Sequence, residues 1–355
     1  MKKIIKIYVL LGFFLMGNLT FAQTTKEAYI AQLEAHKKAA DAGLATFFDR
    51  SKPTGERILA VERIDQFQDK EQAKRAFAIV MDATEPDRLR AAAIFKVRHM
   101  IHHMEEPRTK ILRQIEQPYT PPHFREAAID VMQMYIFKPT TPEEQRKIVL
   151  DVFRKVAFKD VKPEFRERAI YTLINYGDAE ARRVLGYGLR DPSEAVIAPD
   201  KAITLLSGVI NDSDYYYDLI FNVLKNPPNY ESQLAAMRAL GNYTPAQGAI
   251  AKVLQDRAAG TELRIAALAH LNATMDKEFL GVIQSVITDE KAPEELRIRC
   301  LQSQYYREVK RQRDDPKIEA APSPKFEKVI EKVIESPSEG VKKEAQKCNK
   351  RLRKQ

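Results

Sequence analysis

A ten-residue pattern returns nine times along this chain, and nothing else in the sequence restricts the fold as strongly. Its plainest copy is residues 262–271, Glu-Leu-Arg-Ile-Ala-Ala-Leu-Ala-His-Leu. Taking the basic residue as position zero, the copies count from Arg57, Arg90, Arg125, Arg166, Pro199, Gln233, Arg264, Arg297 and Lys342. The steps between them are 33, 35, 41, 33, 34, 31, 33 and 45 residues. Position +3 is Ala60, Ala93, Ala128, Ala169, Ala202, Ala236, Ala267, Cys300 and Ala345. Position +4 is bulky and apolar from the first copy, Val61, to Leu301, then becomes Gln346; +7 is apolar until it turns polar at Gln304 and Asn349. On a helix these positions share one face. A small side chain at +3 lets neighbouring helices approach closely.

Each step leaves room for one more helix and two turns. Residues 143–158, with Ile148, Val149, Val152, Phe153 and Val156, repeat apolar side chains at helical spacing, as do 249–254 and 279–287. Prolines 53, 86, 122, 163, 192, 228 and 293 stand before the second helices, where proline suits a first turn. Asp87, Glu164, Glu231, Glu262 and Glu294 follow, favourable beside a helix N-terminus. Each unit therefore reads as a helical hairpin, and stacked units of this length make a solenoid whose repeats bury their apolar faces only against neighbours.

The Leu-Arg-x-x-Ala-Ile pattern of residues 89–94, echoed at 124–129, 165–170, 263–268 and 296–301, resembles HEAT repeats over roughly residues 50–350. The chain has no tryptophan and no Leu-Gly pairing in the place a tetratricopeptide array requires. The resemblance implies an all-α fold, an α-α superhelix of right-handed sense with about nine hairpins, whose second helices line the concave side. The expected organisation is a signal peptide at 1–22, a capping helix at 23–50, the repeat array at 51–309, a Pro-rich and charged linker at 310–324, and a loosely docked basic hairpin at 325–355. In the cap, Tyr29, Ile30, Leu33, Leu44 and Phe47 are expected to face inward.

The leader combines Lys2, Lys3 and Lys6 with a short apolar run to Gly17, and small residues Thr20 and Ala22 stand at cleavage spacing. The run is short of the roughly 20 residues a bilayer span needs. Cleavage after Ala22 and a periplasmic or secreted location are the expectation, Phe21-Ala22-Gln23 resembling exported proteins of Bacteroidetes-type bacteria. The formal charge of +9 then resides in the leader and in residues 305–355, which hold fifteen Lys and Arg against nine Asp and Glu. The repeat body is neutral. A basic tail can touch the phosphates of an envelope surface. The two cysteines, Cys300 and Cys348, fall on neighbouring second helices; whether they pair is open.

No reaction is written in the residues. His99, His102 and His103 have helical spacing for metal ligation but lack a third or fourth ligand of the usual kind. No glycine-flanked nucleophile or glycine-rich phosphate loop occurs. No cofactor is expected. If second helices line a groove, positions +1, +5 and +8 face it, giving Glu126, Asp130, Gln133, Tyr171, Arg238, Gln302 and Tyr305 as candidate binding residues. Charge, amide and tyrosine together suit gripping a polypeptide. The expectation is an exported, non-catalytic scaffold for a protein or peptide partner. The alternative is an enzyme of HEAT-like fold such as the DNA glycosylases built on these repeats; the neutral body argues against it, because nucleic-acid affinity comes from phosphate neutralisation.

Overall fold

The computed structural model describes residues 28, 30, 31, 41–64, 67, 69–209, 214–241, 243–274, 279–314 and 321–353. The expected leader, most of the expected cap including Tyr29 and Leu33, and residues 315–320 of the expected linker lie outside these. Every described element is helical. Residues 41–48 form a helix that buries Phe47 and half-buries Leu44, while Ile30, expected inward, is 43% exposed. There follow α1 (Thr54–Glu62), α2 (Lys70–Met81), α3 (Asp87–Lys96), α4 (Arg98–His103), α5 (Glu105–Glu116), α6 (Pro122–Phe137), α7 (Glu143–Lys159) and α8 (Pro163–Tyr176). The rest are α9 (Ala179–Arg190), α10 (Pro199–Ser207), α11 (Asp214–Lys225), α12 (Tyr230–Ala239), α13 (Gln247–Gln255), α14 (Thr261–Thr274), α15 (Leu280–Thr288), α16 (Glu294–Asp314), α17 (Pro324–Ile334) and α18 (Glu339–Leu352). The fold is an all-α helical repeat. Its packing separates two compact units, 1–172 and 173–355, a division that falls inside the stretch 51–309 read above as one array.

The register sets the core. All nine +3 residues are buried, none more than 7% exposed, and so are the eight apolar +4 residues from Val61 to Leu301. Side chains of this size sit where one second helix leans on the next, as α3 does on α6 in unit 1 and α12 on α14 in unit 2. The polar exceptions are informative: Gln346 is exposed, whereas Gln304 at +7 is buried and donates to Glu308 Oε1 at 3.5 Å.

Position zero is a staple. Arg57, Arg90, Arg125, Arg264 and Arg297 are all buried, and each donates from Nε to the carbonyl ten residues earlier: Phe47, Val80, Ile115, Leu254 and Ile287, at 2.8–3.0 Å. Each acceptor is the next-to-last residue of the preceding helix, where carbonyls have no intrahelical partner and the helix dipole attracts a cation. These five arginines follow connectors of one length, five residues, at 49–53, 82–86, 117–121, 256–260 and 289–293. Where the connector shortens to 160–162, Arg166 reaches instead to the Asp160 carbonyl at 2.8 Å. Connectors of other lengths carry Pro199, Gln233 and Lys342 at position zero.

The guanidinium ends reach the following repeat. Arg57 forks onto buried Glu85 at 2.7 and 3.1 Å, Arg125 pairs with buried Asp160, and Arg90 and Arg125 lie over the rings of Phe124 and Phe165. Burial opposes the charge on Asp160, yet hydrogen bonds from Arg125 and the Lys162 amide hold its carboxyl below the usual range. In unit 2, Gly177 at φ +90° closes α8 with paired bonds from its own amide to Ile174 and from Asp178 to Leu173, a C-terminal turn that favours glycine.

The C-terminal end differs from expectation. Helix α16 continues to Asp314, so the first five residues of the expected linker are helical. Ser323 donates from its amide and hydroxyl to buried Glu308 at 3.1 and 2.6 Å, and Arg311 and Gln312 both donate to the Ala321 carbonyl. The last hairpin, α17 and α18, packs on α15 and α16 through Phe326, Ile330, Val341 and Ala345, all at most 1% exposed. It is a stacked layer, not a loosely docked one. Cys300 and Cys348 are free and buried, and burial pushes both thiols up to about 12.

Candidate functional site

Second helices of successive repeats lie side by side, and among the described residues their outward faces leave a cleft of about 680 Å³ in unit 1 and one of about 800 Å³ in unit 2. Both run along the same register positions, chiefly −2, +1, +2 and +5.

The unit 1 cleft spans α1, α3, α6 and α8. Ala91, Ala92 and Ala127 line it together with Phe95, and charged groups crowd it: Glu62, Arg88, Lys96, Glu126, Asp130 and Arg168. Several are already engaged. Asp130 accepts both Nε and Nη2 of Arg168 at 2.9 and 2.8 Å, and Lys96 donates to the Glu62 carbonyl at 2.9 Å. Just beside it, Asp87 caps the next second helix by accepting from the amides of His123 and Phe124 at 3.1 and 2.8 Å.

The unit 2 cleft spans α12, α14 and α16 and has another character. Gly241, Ala266, Ala269 and Ala273 leave the backbone approachable, Met237 and Ile265 add apolar surface, and the charges form closed pairs. Arg238 joins Glu262 at 2.7 Å and Arg299 joins Glu295 at 2.9 Å. His270 also lines this cleft. It is 4% exposed, neither ring nitrogen has a hydrogen-bond partner, and burial holds its pKa below the usual histidine value. A buried polar side chain with nothing to bond is uncommon in folded proteins.

The structure sorts the candidates named from sequence. Glu126 and Asp130 line the unit 1 cleft and Arg238 the unit 2 cleft. Gln302 is half-buried and donates to Glu344 of the last layer at 3.3 Å; Gln133 and Tyr305 are half-buried and Tyr171 is exposed, but none lines either cleft. For Gln133 and Tyr305 the reason is geometric: at about 100° per residue, +8 stands only about 40° from the core position +4, and the one +8 residue lining a cleft is Gly241, whereas −2, +2 and +9 stand within about 60° of +5. Tyr171 and Gln302 share +5 with Asp130 and Arg238 but stand outside both clefts. Positions −2 and +2 were the missed signal, and they supply Glu262, Ala266, Glu295 and Arg299.

The three histidines of α4 do not converge. His99 and His103 face each other with ring centres 4.3 Å apart, and Lys138 Nζ donates to His103 at 3.4 Å. His102 turns away, donating from Nε2 to the Val131 carbonyl at 3.2 Å against the Tyr135 ring. Burial pushes its pKa down. Among the described residues no group of three or more His, Cys, Asp or Glu is placed to hold a metal ion.

No family model matches the chain, and neither does any curated protein. Among solved structures, one of an engineered protein from a structural-genomics consortium aligns over 88% of this chain and 98% of its own, at 12% identity and a TM-score of 0.36.

Proposed function

We propose that this chain is an exported, non-catalytic scaffold of HEAT-like kind that takes an extended peptide segment of a partner protein into the unit 2 cleft. One observation carries the reading. Gly241, Ala266, Ala269 and Ala273 make a strip without large side chains, on rigid helices, between two closed ion pairs. A main chain can come close to such a strip, and interfaces of low charge at the centre and paired charge at the rim suit protein partners. His270 lies at the floor of the same cleft, its ring buried and neither nitrogen bonded. The unit 1 cleft fits this role less well, because Arg88, Lys96, Glu126, Asp130 and Arg168 crowd it with charge that a main chain would have to desolvate.

The test is photo-crosslinking from a photoreactive residue placed at 269, against the same residue at the exposed position 252 on first helix α13, with a mixture of unstructured peptides read by mass spectrometry. Peptides crosslinked at 269 and not at 252, and lost when Ala273→Trp is added to fill the same cleft, are the expected result. Equal labelling at both positions, or labelling indifferent to the tryptophan, would sink the reading.

A further inference from the structure

The last layer carries a feature that the cleft reading does not use. On α18, Lys343, Lys347 and Lys350 follow one another at spacings of four and three, so they form a single line down the helix. All three are exposed, and the line lies opposite the buried face of Val341, Ala345, Cys348 and Leu352. Its partner α17 carries a second line at similar spacing, Lys325, Lys328 and Lys332, also exposed.

Neutralisation from within the hairpin is incomplete. Glu344 meets Gln302 and Lys347, Glu327 pairs with Arg353, and Glu339 with Lys342. Glu331 on α17 and Glu335 just after it are the exposed acids left there, while among the described residues Lys325, Lys328, Lys332, Lys343 and Lys350 have no ion pair. A terminal repeat needs a polar outer face, but mixed signs would serve better, since like charges three and four apart disfavour the helix. A line of one sign is better explained by an anion outside the chain.

We propose that this hairpin is a docking face for the anionic phosphate surface of a lipid bilayer. Charge complementarity is the argument, and three details select a membrane over nucleic acid. The charges of the two lines are lysines, with the exposed Arg351 beside them, and lysines, compact and strongly hydrated, suit a diffuse field of headgroups better than the bidentate geometry arginine offers. No large apolar side chain is exposed anywhere in 321–353, so the face has neither an aromatic platform for bases nor a wedge for insertion. Among the described residues no helix is long and apolar enough to cross a membrane, so the contact is peripheral and electrostatic. Such a contact brings the cleft of unit 2 to an envelope surface where a partner's peptide would be met.

The experiment is co-sedimentation of the full chain with phosphatidylcholine vesicles, with and without phosphatidylglycerol, at low and high salt. Binding should require phosphatidylglycerol and fall with salt. Lys343→Gln, Lys347→Gln and Lys350→Gln together should weaken it by about fivefold per lysine, roughly a hundredfold in all. A control triple, Lys52→Gln, Lys74→Gln and Lys110→Gln, should leave it unchanged. Any contribution of the apolar leader is common to all variants and insensitive to salt, so it cannot mimic the difference. Equal loss in both triples, or no dependence on phosphatidylglycerol, overturns the proposal. Binding to a double-stranded DNA oligonucleotide but not to vesicles overturns the membrane assignment and gives the face to nucleic acid.

Discussion

The two units solve the same packing problem with different chemistry. In unit 1 two of the three buried arginines at position zero find a carboxylate in the next repeat, Arg57 with Glu85 and Arg125 with Asp160. In unit 2 neither does: Arg297 donates to the Ser336 hydroxyl at 3.1 Å, and Arg264 leaves Nη2 without a partner. The carboxylate that Arg264 would use, Asp289, is taken in two bonds by the exposed Arg257 at 2.9 and 2.8 Å. The clefts differ as well. Each carries one cross-repeat ion pair, Asp130 with Arg168 and Arg238 with Glu262, but unit 1 adds Arg88, Lys96 and Glu126, whereas unit 2 adds small side chains and a histidine. A strip of small side chains lets a partner's main chain come close, whereas crowded charges must first lose water.

The largest effect should come from the element both units share. Leu268 is 3% exposed at +4, and Leu268→Asp would bury a charge between layers at a cost of several kcal/mol. A thermal unfolding transition that did not move would mean the register is misplaced. The comparison itself is sharpened by two arginines. Arg125→Met strands the Asp160 carboxylate, 4% exposed, and the Ile115 carbonyl, so a loss of about 3–5 kcal/mol is expected. Arg264→Met strands only the Leu254 carbonyl and should cost about 1–3 kcal/mol. Urea midpoints at unchanged slope would read both, and equal losses would erase the distinction between the units. Of the same size as the Arg264 effect is Gly188→Ala on α9. Its Cβ would come within 2.9 Å of the Ala195 Cα in the long connector 191–198, an overpacking expected to cost about 1–3 kcal/mol.

Much of this architecture is legible in the sequence because repetition averages out accident. A single Arg-x-x-Ala could arise by chance, but nine registers with alanine or cysteine at +3 are enough to name the buried face. The arginine staple is half legible: the basic residue at zero is visible, but its burial is not, since an arginine on a helix usually reads as surface. Only the five-residue connector, which puts the preceding helix end ten residues back, explains why it turns inward. The last hairpin departs from expectation because Pro316, Pro322 and Pro324 signal a break, while the bonds of Glu308, Arg311 and Gln312 that fasten the returning chain have no local pattern. For the clefts, +1 and +5 follow from helical angle alone. Which polar groups are free does not, because Asp130, Arg238 and Gln302 spend their hydrogen bonds on residues 24 to 42 positions away.

The smallest effect bears most directly on the unit 2 cleft. His270 is buried without a partner, and burial sets its folded pKa below the ordinary 6.5. Above that value both folded and unfolded chains hold the imidazole neutral, and the histidine adds no pH dependence. As pH falls through 6.5 the unfolded chain takes up a proton that the folded chain refuses, so stability is lost, by at most about 1.4 kcal/mol per pH unit. His270→Leu should remove that loss, so that wild type and variant diverge only on the acid side. His102, also depressed by burial, contributes equally to both proteins and cancels in the comparison. Parallel stability curves for the two proteins down to about pH 5 would show that His270 finds a partner in solution. A bound peptide that covered the cleft over the imidazole would carry the divergence to lower pH, because deeper burial depresses the folded pKa further. Measuring the divergence with and without the peptide recovered from position 269 therefore tests the histidine and the cleft together.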